Sequence, residues 1–422
     1  MEIFVDGLFV PVHDGSAPYR GFLAVENGII TATGPGSPRI PADATVVDLA
    51  GKLVLPGFVS AHSHLWQSVF RGLADGCSTY GWIDQLHLKY GPLLTESDMY
   101  EFTVHGGRDL LRHGITTVCN HTHSFGAGEE GQWRAALDLP QRTVYSHSPS
   151  RFDSAAERRA GIERFQKATA DVDDPRILGR SYNTTWPLDE PDMRAEIELL
   201  TEYGIGKHLH YLEDPGVTEH QQAEFAQLLR TGSVGPDTVF AHFIHTTPEI
   251  VAQAGERGAA MAWNPLSNGR LGSGIPDILG YRAAGVRVGL GVDGQASADV
   301  ADPFQNMRTG LYLLRAAAKD ATVLSSREIL RMHTLGSAEV LGVQDRVGSL
   351  EPGKFADFLV LDPERPSAGP VSPDLYAHTV LALSAANITD VRVAGRSVST
   401  GPFEPTAPGA VHERVAALRA LL

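Results

Sequence analysis

Short apolar runs, each ending in polar or ionisable residues, recur between about residue 55 and residue 294, and helically spaced apolar positions follow most of them. A buried parallel strand is a short continuous apolar run, whereas an amphipathic helix repeats its apolar positions every three to four residues. The pattern therefore predicts alternating strands and helices. The predicted strands are LPGFVSAHSH, ITTVCNHTH, RTVYSHS, RILGRSYN, IGKHLHY, DTVFAHF, AAMAWNP and RVGLGVDG.

The helical stretches between these runs carry residues that begin and end helices. Thr247 followed by Pro248 is typical of an N-cap and a first helical position, and Gly204 and Gly285 stand where helices end. Eight strand-then-helix units predict an α/β fold with a (β/α)8 TIM-type barrel over residues 56–346. A doubly wound open sheet is the alternative.

The two ends of the chain have a different pattern. Residues 1–55 alternate short β-type runs with turns, including the hairpin signal Asn27-Gly28, and the chain beyond residue 346 repeats that texture. A small sheet with one apolar face needs a partner that buries it. We therefore expect residues 1–55 and 347–405 to form a composite β-sandwich, and residues 406–422 to form a C-terminal helical tail.

Composition is that of a globular protein without polyanionic partners. Of the 422 residues, 42% are hydrophobic and 20% are charged, and the net charge of −15 opposes binding to nucleic acid or anionic lipid. We find no apolar run of about 18 residues and no basic leader, so we expect no membrane span and no secretory signal. Two cysteines are too few for a disulfide framework. A cytoplasmic location is the expectation.

The strongest chemical signal lies at the end of the first predicted strand of the barrel. His62 and His64 are two residues apart, so their side chains point to the same face and could bind one metal ion. Two solvated histidines on a surface strand are the alternative, but the apolar run before them indicates a buried strand. Polar residues also end the other runs, and the C-terminal ends of barrel strands meet at one mouth.

Three of those other strand ends supply the remaining groups of the candidate site. The fifth run ends with His208 and His210, one of which should point into the mouth, and Glu213 follows in the loop. His242 ends the sixth run. Asp293 follows the apolar run VGLGV, and a buried carboxylate is costly unless it is paired or binds a metal. Three imidazoles and one carboxylate around a divalent ion leave a position for water, which becomes a hydroxide nucleophile near neutral pH.

The order of the segments PGFVSAHSH, HLHYLE, AHFIH, NPLSNGRLGSG and GLGVDGQAS resembles the amidohydrolase superfamily. The similar branch contains aminohydrolases and chlorohydrolases, among them guanine, cytosine and S-adenosylhomocysteine deaminases and triazine hydrolases. The resemblance spans nearly the whole chain, because GSLEPGKFADFLVLD is similar to the return strand of that family. It implies the barrel and the composite β-sandwich as the fold.

The resemblance also implies roles for individual residues. Glu213 would be the general acid/base, and His242 would activate water or hold the reacting group. The implied ligands of the metal are His62, His64, His210 and Asp293. The run RILGRSYN contains no lysine that could be carboxylated to bridge two metals, so one divalent ion is expected. Zinc is the first choice and ferrous iron the alternative, since imidazole suits both.

Six residues near the strand ends are predicted to contact the substrate. Trp66 and Gln67 follow the first ligand pair directly, so we expect stacking by the indole and a hydrogen bond from the amide. An aromatic residue packed beneath the loop is the alternative for Trp66. His121 and His123 form a second His-x-His pair, for which substrate contact is favoured over a second metal. The predicted substrate contacts are Trp66, Gln67, His121, His123, Asn264 and Ser267.

The sequence therefore predicts a mononuclear metal-dependent hydrolase that deaminates an amino-substituted nitrogen heterocycle and releases ammonia. Hydrolysis of an amide, a cyclic urea or a carbon–halogen bond is the first alternative, and a metal-free scaffold is the second. The segment GQASADVAD after the barrel aspartate lacks the asparagine pair that is common in relatives acting on nucleosides, so the resemblance does not by itself imply nucleoside specificity. The expected partner is a small heterocyclic substrate, and a homodimer follows family habit alone.

Overall fold

The computed structural model describes residues 1–125, 128–185, 188–365, 369–398 and 408–421. Its strands form two sheets, which helices flank. The strands are β1 (Glu2–Phe9), β2 (Tyr19–Glu26), β3 (Ile29–Pro35), β4 (Thr45–Asp48), β5 (Leu53–Pro56), β6 (Phe58–His64), β7 (Ile115–His121), β8 (Arg142–His147), β9 (Ile177–Tyr182), β10 (Gly206–Tyr211), β11 (Thr238–His242), β12 (Ala260–Trp263), β13 (Arg287–Leu290), β14 (Asp293–Gly294), β15 (Phe358–Leu361), β16 (Ile388–Val393) and β17 (Arg396–Ser397).

All the described helices come after β6 in the chain. They are α1 (Thr79–Ile83), α2 (Glu96–Arg112), α3 (Gly128–Asp138), α4 (Ala155–Thr169), α5 (Glu190–Glu202), α6 (Thr218–Thr231), α7 (Pro248–Glu256), α8 (Pro265–Arg270), α9 (Ile278–Ala283), α10 (Pro303–Ala318), α11 (Ser326–Met332), α12 (Leu335–Val340), α13 (Leu375–Ala377) and α14 (Pro408–Ala420). As predicted, Thr247 caps α7 with Pro248 at its first position. None of the described helices is both long and apolar enough to cross a membrane.

Nine strands of the described chain form one parallel sheet, in the order β13-β12-β11-β10-β9-β8-β7-β6-β14. The strands at its two ends, β13 and β14, are consecutive in the chain, with only Gly291 and Val292 between them. The backbone amide of Val292 donates to the Ser60 hydroxyl of β6 at 3.0 Å. The sheet therefore curls until its two ends meet, which is consistent with the predicted TIM-type barrel.

The parallel strands are buried on both faces. Every residue of β6, β7, β8, β11 and β12 is buried, because side chains of one face fill the interior of the curled sheet and those of the other pack against helices. This explains why the runs are continuously apolar rather than alternating. Since all strands point the same way, their polar C-terminal residues gather at one edge of the sheet.

The second sheet combines both ends of the chain. Its order is β17-β16-β15-β5-β1-β2-β3, and β4 pairs with β1. The antiparallel pairing of β5 with β15 joins the N-terminal strands to the C-terminal ones. Asn27 and Gly28, at φ values of 52° and 80°, make the predicted turn between β2 and β3. Residues 399–405, assigned to the composite β-sandwich, lie outside the described residues.

A buried ion pair connects the two sheets. Arg142, the first residue of β8, donates through Nε and Nη2 to the two carboxylate oxygens of Asp357 at 2.6 and 3.0 Å. Asp357 precedes β15 and also accepts from the backbone amide of Ala394 at 2.8 Å. The guanidinium lies over the ring of Phe355, 3.5 Å from its centroid. Both charged groups are almost fully buried, so each depends on the other.

The C-terminal helix α14 packs against the segment that follows β6, the first strand of the parallel sheet in chain order. Val411, Val415 and Leu418 join an apolar cluster with Trp66 and Phe70, the residues that follow β6. Arg414 of the same helix donates through Nε and Nη2 to both carboxylate oxygens of Asp98 in α2, each at 2.7 Å. Of the helical tail assigned to 406–422, residues 406, 407 and 422 lie outside the described residues.

Candidate metal centre and active site

Four side chains from three strands place their ligand atoms together at the C-terminal edge of the parallel sheet. The Nε2 atoms of His62 and His64 lie 3.3 and 3.4 Å from Oδ1 of Asp293, and His64 Nε2 lies 3.2 Å from Nε2 of His210. His62 Nε2 is buried and makes no hydrogen bond to any residue that the structure describes. A buried nitrogen with an unused lone pair, beside two further imidazoles and a carboxylate, fits a divalent metal ion.

The outer nitrogens of the two histidines of β6 hold their rings in place. His64 Nδ1 donates to the backbone carbonyl of His121 at 2.8 Å, which leaves Nε2 as the lone-pair nitrogen. His62 Nδ1 lies 3.0 Å from Nε2 of His208, and His208 Nδ1 lies 3.4 Å from the Cys119 sulfur. Such contacts behind a ligand fix its tautomer and its orientation. Of the two histidines of β10, His210 therefore faces the cluster directly, and His208 supports it.

Burial keeps three histidines at this site neutral, namely His64, His210 and His242. Burial, with the nearby His62, lowers the pKa of His64 to about 4, and burial lowers the pKa of His242 to about 3. Burial likewise holds the pKa of His210 well below its usual value. Asp293 behaves oppositely: burial alone would raise its pKa, but His62, His242 and His64 hold it well below the usual value. Neutral imidazoles and an ionised carboxylate are the forms that bind a metal.

Glu213 and His242 lie next to this cluster. Glu213 Oε1 is 3.4 Å from His242 Nδ1, and His242 Nε2 is 3.9 Å from Asp293 Oδ2. Burial, together with the charge of Asp293, raises the pKa of Glu213 well above its usual value, so this carboxyl can hold a proton. The Asn268 amide donates to His242 Nδ1 at 2.7 Å, which leaves the proton of the neutral ring on Nε2.

The backbone around the cluster adopts an uncommon conformation. Leu212, His242, Phe243 and Asp293 all have positive φ, between 47° and 70°. For residues other than glycine, the left-handed region costs about 1–3 kcal/mol each and is found where a strand end must direct a side chain. These four residues turn the chain at the ends of β10 and β11 and at the start of β14. The strain therefore lies where the candidate ligands and Glu213 are positioned.

A cavity of about 530 Å³ opens above the cluster. Its lining includes Glu213 and several candidate ligands, and one wall is formed by aromatic rings. Successive ring contacts join Trp82, His87, His123 and Phe125 into this wall, and Tyr80, Phe152 and Tyr211 also line the cavity. The volume and the flat walls suit a small planar molecule.

Trp66 and Gln67, which we predicted to contact the substrate, lie behind this cavity rather than on its wall. Both are fully buried, and neither lines the cavity. Trp66 Nε1 donates to Nδ1 of His123 at 3.0 Å, and the Gln67 amide lies 3.2 Å from Nε2 of His87. The physical reason is the 3-10 turn Leu65–Val69, which follows β6 and rotates these side chains away from the mouth. They therefore support two histidines that line the cavity.

The other predicted substrate contacts divide into two groups. His121 and His123 line the cavity, and within the described part of the chain neither ring nitrogen of His121 makes a hydrogen bond. Asn264 and Ser267 are fully buried and do not line it. The Asn264 amide lies 3.5 Å from His242 Nδ1, so it packs behind that histidine.

Several cavity residues were not anticipated from the sequence. Tyr80, Trp82 and His87 come from α1 and the irregular turns after it, a segment that ends no strand and carries no motif. Asn183 and Thr185 follow β9 and also line the cavity. The only sequence signal for them was their place after a strand of the barrel, where loops line the mouth.

The family model of the amidohydrolase family matches residues 53–398 of the chain. A 5-methylthioadenosine/S-adenosylhomocysteine deaminase of Desulforudis audaxviator is 31% identical over 414 residues, which cover 95% of this chain and 94% of that protein. Both proteins thus match over nearly their whole length.

Solved structures agree with these matches. The adenosine deaminase of Xanthomonas campestris, determined with bound zinc, superimposes with a TM-score of 0.86 at 25% identity and covers 99% of this chain and 98% of its own. A zinc complex of atrazine chlorohydrolase from Arthrobacter aurescens superimposes with a TM-score of 0.83 at 21% identity, over 99% and 100% of the two chains. The second likeness shows a shared fold.

Proposed function

The chain belongs to the amidohydrolase family, and on that premise we propose that it deaminates an amino-substituted nitrogen heterocycle and releases ammonia. It is a metal-dependent hydrolase that acts on carbon–nitrogen bonds. We assign it a (β/α)8 barrel, with a composite β-sandwich built from the two chain ends. The observation that carries the proposal is the cluster of His62, His64, His210 and Asp293 at the floor of an aromatic cavity, with Glu213 beside it.

The proposed metal ligands are the four side chains of the cluster. Zinc is our choice of ion, because three imidazoles and one carboxylate suit it and the Xanthomonas relative carries zinc. One ion is proposed, since the lone pair of His64 is used in this cluster and cannot serve a second site with His121 and His123. When bound, the ion supplies Lewis-acid activation of water.

The side chains around the cluster account for the proton transfers of the proposed reaction. Water adds to the ring carbon that bears the amino group, and the carbon–nitrogen bond then breaks. Glu213 takes a proton from the attacking water and delivers it to the leaving nitrogen, which its raised pKa and its place beside the cluster allow. His242 donates through Nε2 to the attacking oxygen and orients it, while the electron pair displaced by the addition moves to the ring nitrogen and returns when the carbon–nitrogen bond breaks. The products are the hydroxy (or keto) heterocycle and ammonia.

The substrate class follows from the cavity and the relatives. The volume of about 530 Å³ admits a heterocycle with a substituent, and the aromatic wall can stack on a planar ring. Because the Desulforudis relative is named for two adenosine derivatives, 6-aminopurines are the first class to test. The net charge of −15 supports a small-molecule partner rather than nucleic acid. We retain the homodimer as a proposal from family habit.

The test combines elemental analysis of the purified protein with an ammonia-release screen of aminopurines, aminopyrimidines, pterins and triazines. We expect about one zinc per chain and ammonia release from at least one class. One metal ion without ammonia from any class, together with hydrolysis of amides, ureas or halides, would replace deamination by the alternative chemistry. A protein that neither retains nor takes up a divalent ion would overturn the metal centre.

A further inference from the structure

Trp66 and His123 form a hydrogen bond in which each partner's role is fixed by chemistry. The indole Nε1–H can only donate, and it lies 3.0 Å from Nδ1 of His123. Nδ1 must therefore be an acceptor and carries no proton. The ring of His123 is then neutral with its proton on Nε2, because the cationic form and the other tautomer would both place a hydrogen opposite the indole hydrogen.

Both rings pack against neighbouring side chains. Trp66 is fully buried and packs edge-on against Phe70 and Phe125, with ring centroids 6.0 and 5.3 Å away. His123 stacks on Phe125 at an interplanar angle of 7°. The backbone carbonyl of His123 accepts from Gln132 Nε2 at 2.9 Å. The pair is thus held on both sides.

The second ring nitrogen of His123 is the one available to a ligand. His123 lines the cavity, and no side chain in the described part of the protein accepts from its Nε2. The ligand atoms of His64, His121 and His123 lie within 4.8 Å of one another, a spacing that suits a metal. A protonated Nε2 has no lone pair to offer, however, so His123 is not a metal ligand in this arrangement.

We propose that His123 is a specificity-determining residue, whose Nε2–H donates to an acceptor atom of the heterocycle, and that Trp66 is a positioning residue that keeps it a donor. This inference rests on the proposed function and narrows it. The preferred ring presents an unprotonated nitrogen or a carbonyl oxygen to His123. Rings that present C–H or N–H at that place are disfavoured, since the donor would be buried without a partner.

The tautomer can be measured without any substrate. Histidine labelled with nitrogen-15 distinguishes protonated from unprotonated ring nitrogens by chemical shift, and the His123→Phe variant assigns the signal. We expect Nε2 protonated and Nδ1 unprotonated in the metal-loaded protein. In Trp66→Phe, which keeps an aromatic ring and removes the donor, we expect a mixture of tautomers. Trp133→Phe makes the same change away from the cavity and should leave the signal unaltered. A His123 signal with the proton on Nδ1, or on both nitrogens, would overturn the inference.

Binding then tests the consequence for specificity. The probes are adenosine and its 1-deaza, 3-deaza and 7-deaza analogues, each with one ring nitrogen replaced by C–H, titrated into the metal-loaded Glu213→Gln protein. We expect one analogue to bind about tenfold to hundredfold more weakly than adenosine. Adding Trp66→Phe or His123→Phe should remove that difference and leave the other two analogues unchanged.

The outcomes separate this inference from the proposed function. Ammonia release from heterocycles, combined with deaza discrimination that survives both Trp66→Phe and His123→Phe, would refute the role of His123 and leave the deaminase intact. Failure of every heterocycle in the ammonia screen would refute the proposed function, and the nitrogen-15 measurement would still decide the tautomer.

Discussion

His62 Nδ1 lies 3.0 Å from Nε2 of His208, so the two imidazoles share one hydrogen bond beneath the candidate metal centre. If His62 binds the metal through Nε2, its Nδ1 carries the proton and His208 accepts it. His208→Phe is then expected to weaken zinc binding about tenfold to hundredfold, because His62 loses the partner that fixes its tautomer. Competition with a fluorescent chelator measures this affinity. His208→Gln keeps an acceptor and should recover part of it, whereas equal affinity in all three proteins would contradict the role of His208.

Glu213 is predicted to move protons without holding the metal. Glu213→Gln should retain the metal and lower kcat by a factor of about 100 to 10,000, because the amide cannot act as an acid or base. Elemental analysis and ammonia release measure the two quantities on the same sample. Glu219→Gln, an exposed change on α6, is the matched control. Near-normal turnover in Glu213→Gln would remove the carboxyl from the proton-transfer step.

Removal of one partner of the Arg142–Asp357 pair is predicted to lower the free energy of unfolding strongly. Asp357→Ala leaves a buried guanidinium without its counter-charge and should lower the free energy of unfolding by about 3–5 kcal/mol. The double variant Arg142→Met/Asp357→Ala should lose less than that. Arg282→Ala breaks an exposed pair with Glu328 and should change stability by about 1 kcal/mol or less. Chemical denaturation compares the four proteins; equal losses in Asp357→Ala and Arg282→Ala would contradict the prediction.

The pair between Asp98 and Arg414 predicts a pH dependence for the attachment of α14. Burial alone would raise the pKa of Asp98, but the bonds from Arg414 and Thr95 outweigh it and hold the pKa below the usual 3.8. The stabilisation is therefore fully present above the pKa of the unfolded chain and is lost as the pH falls through the folded value. Arg414→Gln should lower Tm by a constant amount between about pH 5 and 8, and the difference should shrink below pH 4. A gap that widens in acid would contradict the assignment.

The strand ends of the parallel sheet could be predicted from the sequence, because parallel strands bring their C-terminal residues to one edge. His62, His64 and Asp293 are placed by that rule alone. The rule does not extend past the strand, and so it placed Trp66 on the cavity wall although the 3-10 turn after β6 points it inward. His87 was not predicted to line the cavity, for the opposite reason. It lies far from any strand end, and only the path of the chain over the mouth brings it to the cavity.

The pairing of β5 with β15 has a consequence for synthesis on the ribosome. The two strands are about 300 residues apart in the chain, and all strands of the parallel sheet lie between them in the sequence. The N-terminal strands therefore leave the ribosome early, and one edge of β5 stays unpaired until β15 has been translated. An open strand edge is a template for wrong pairing, so nascent chains should be most prone to aggregate during this interval.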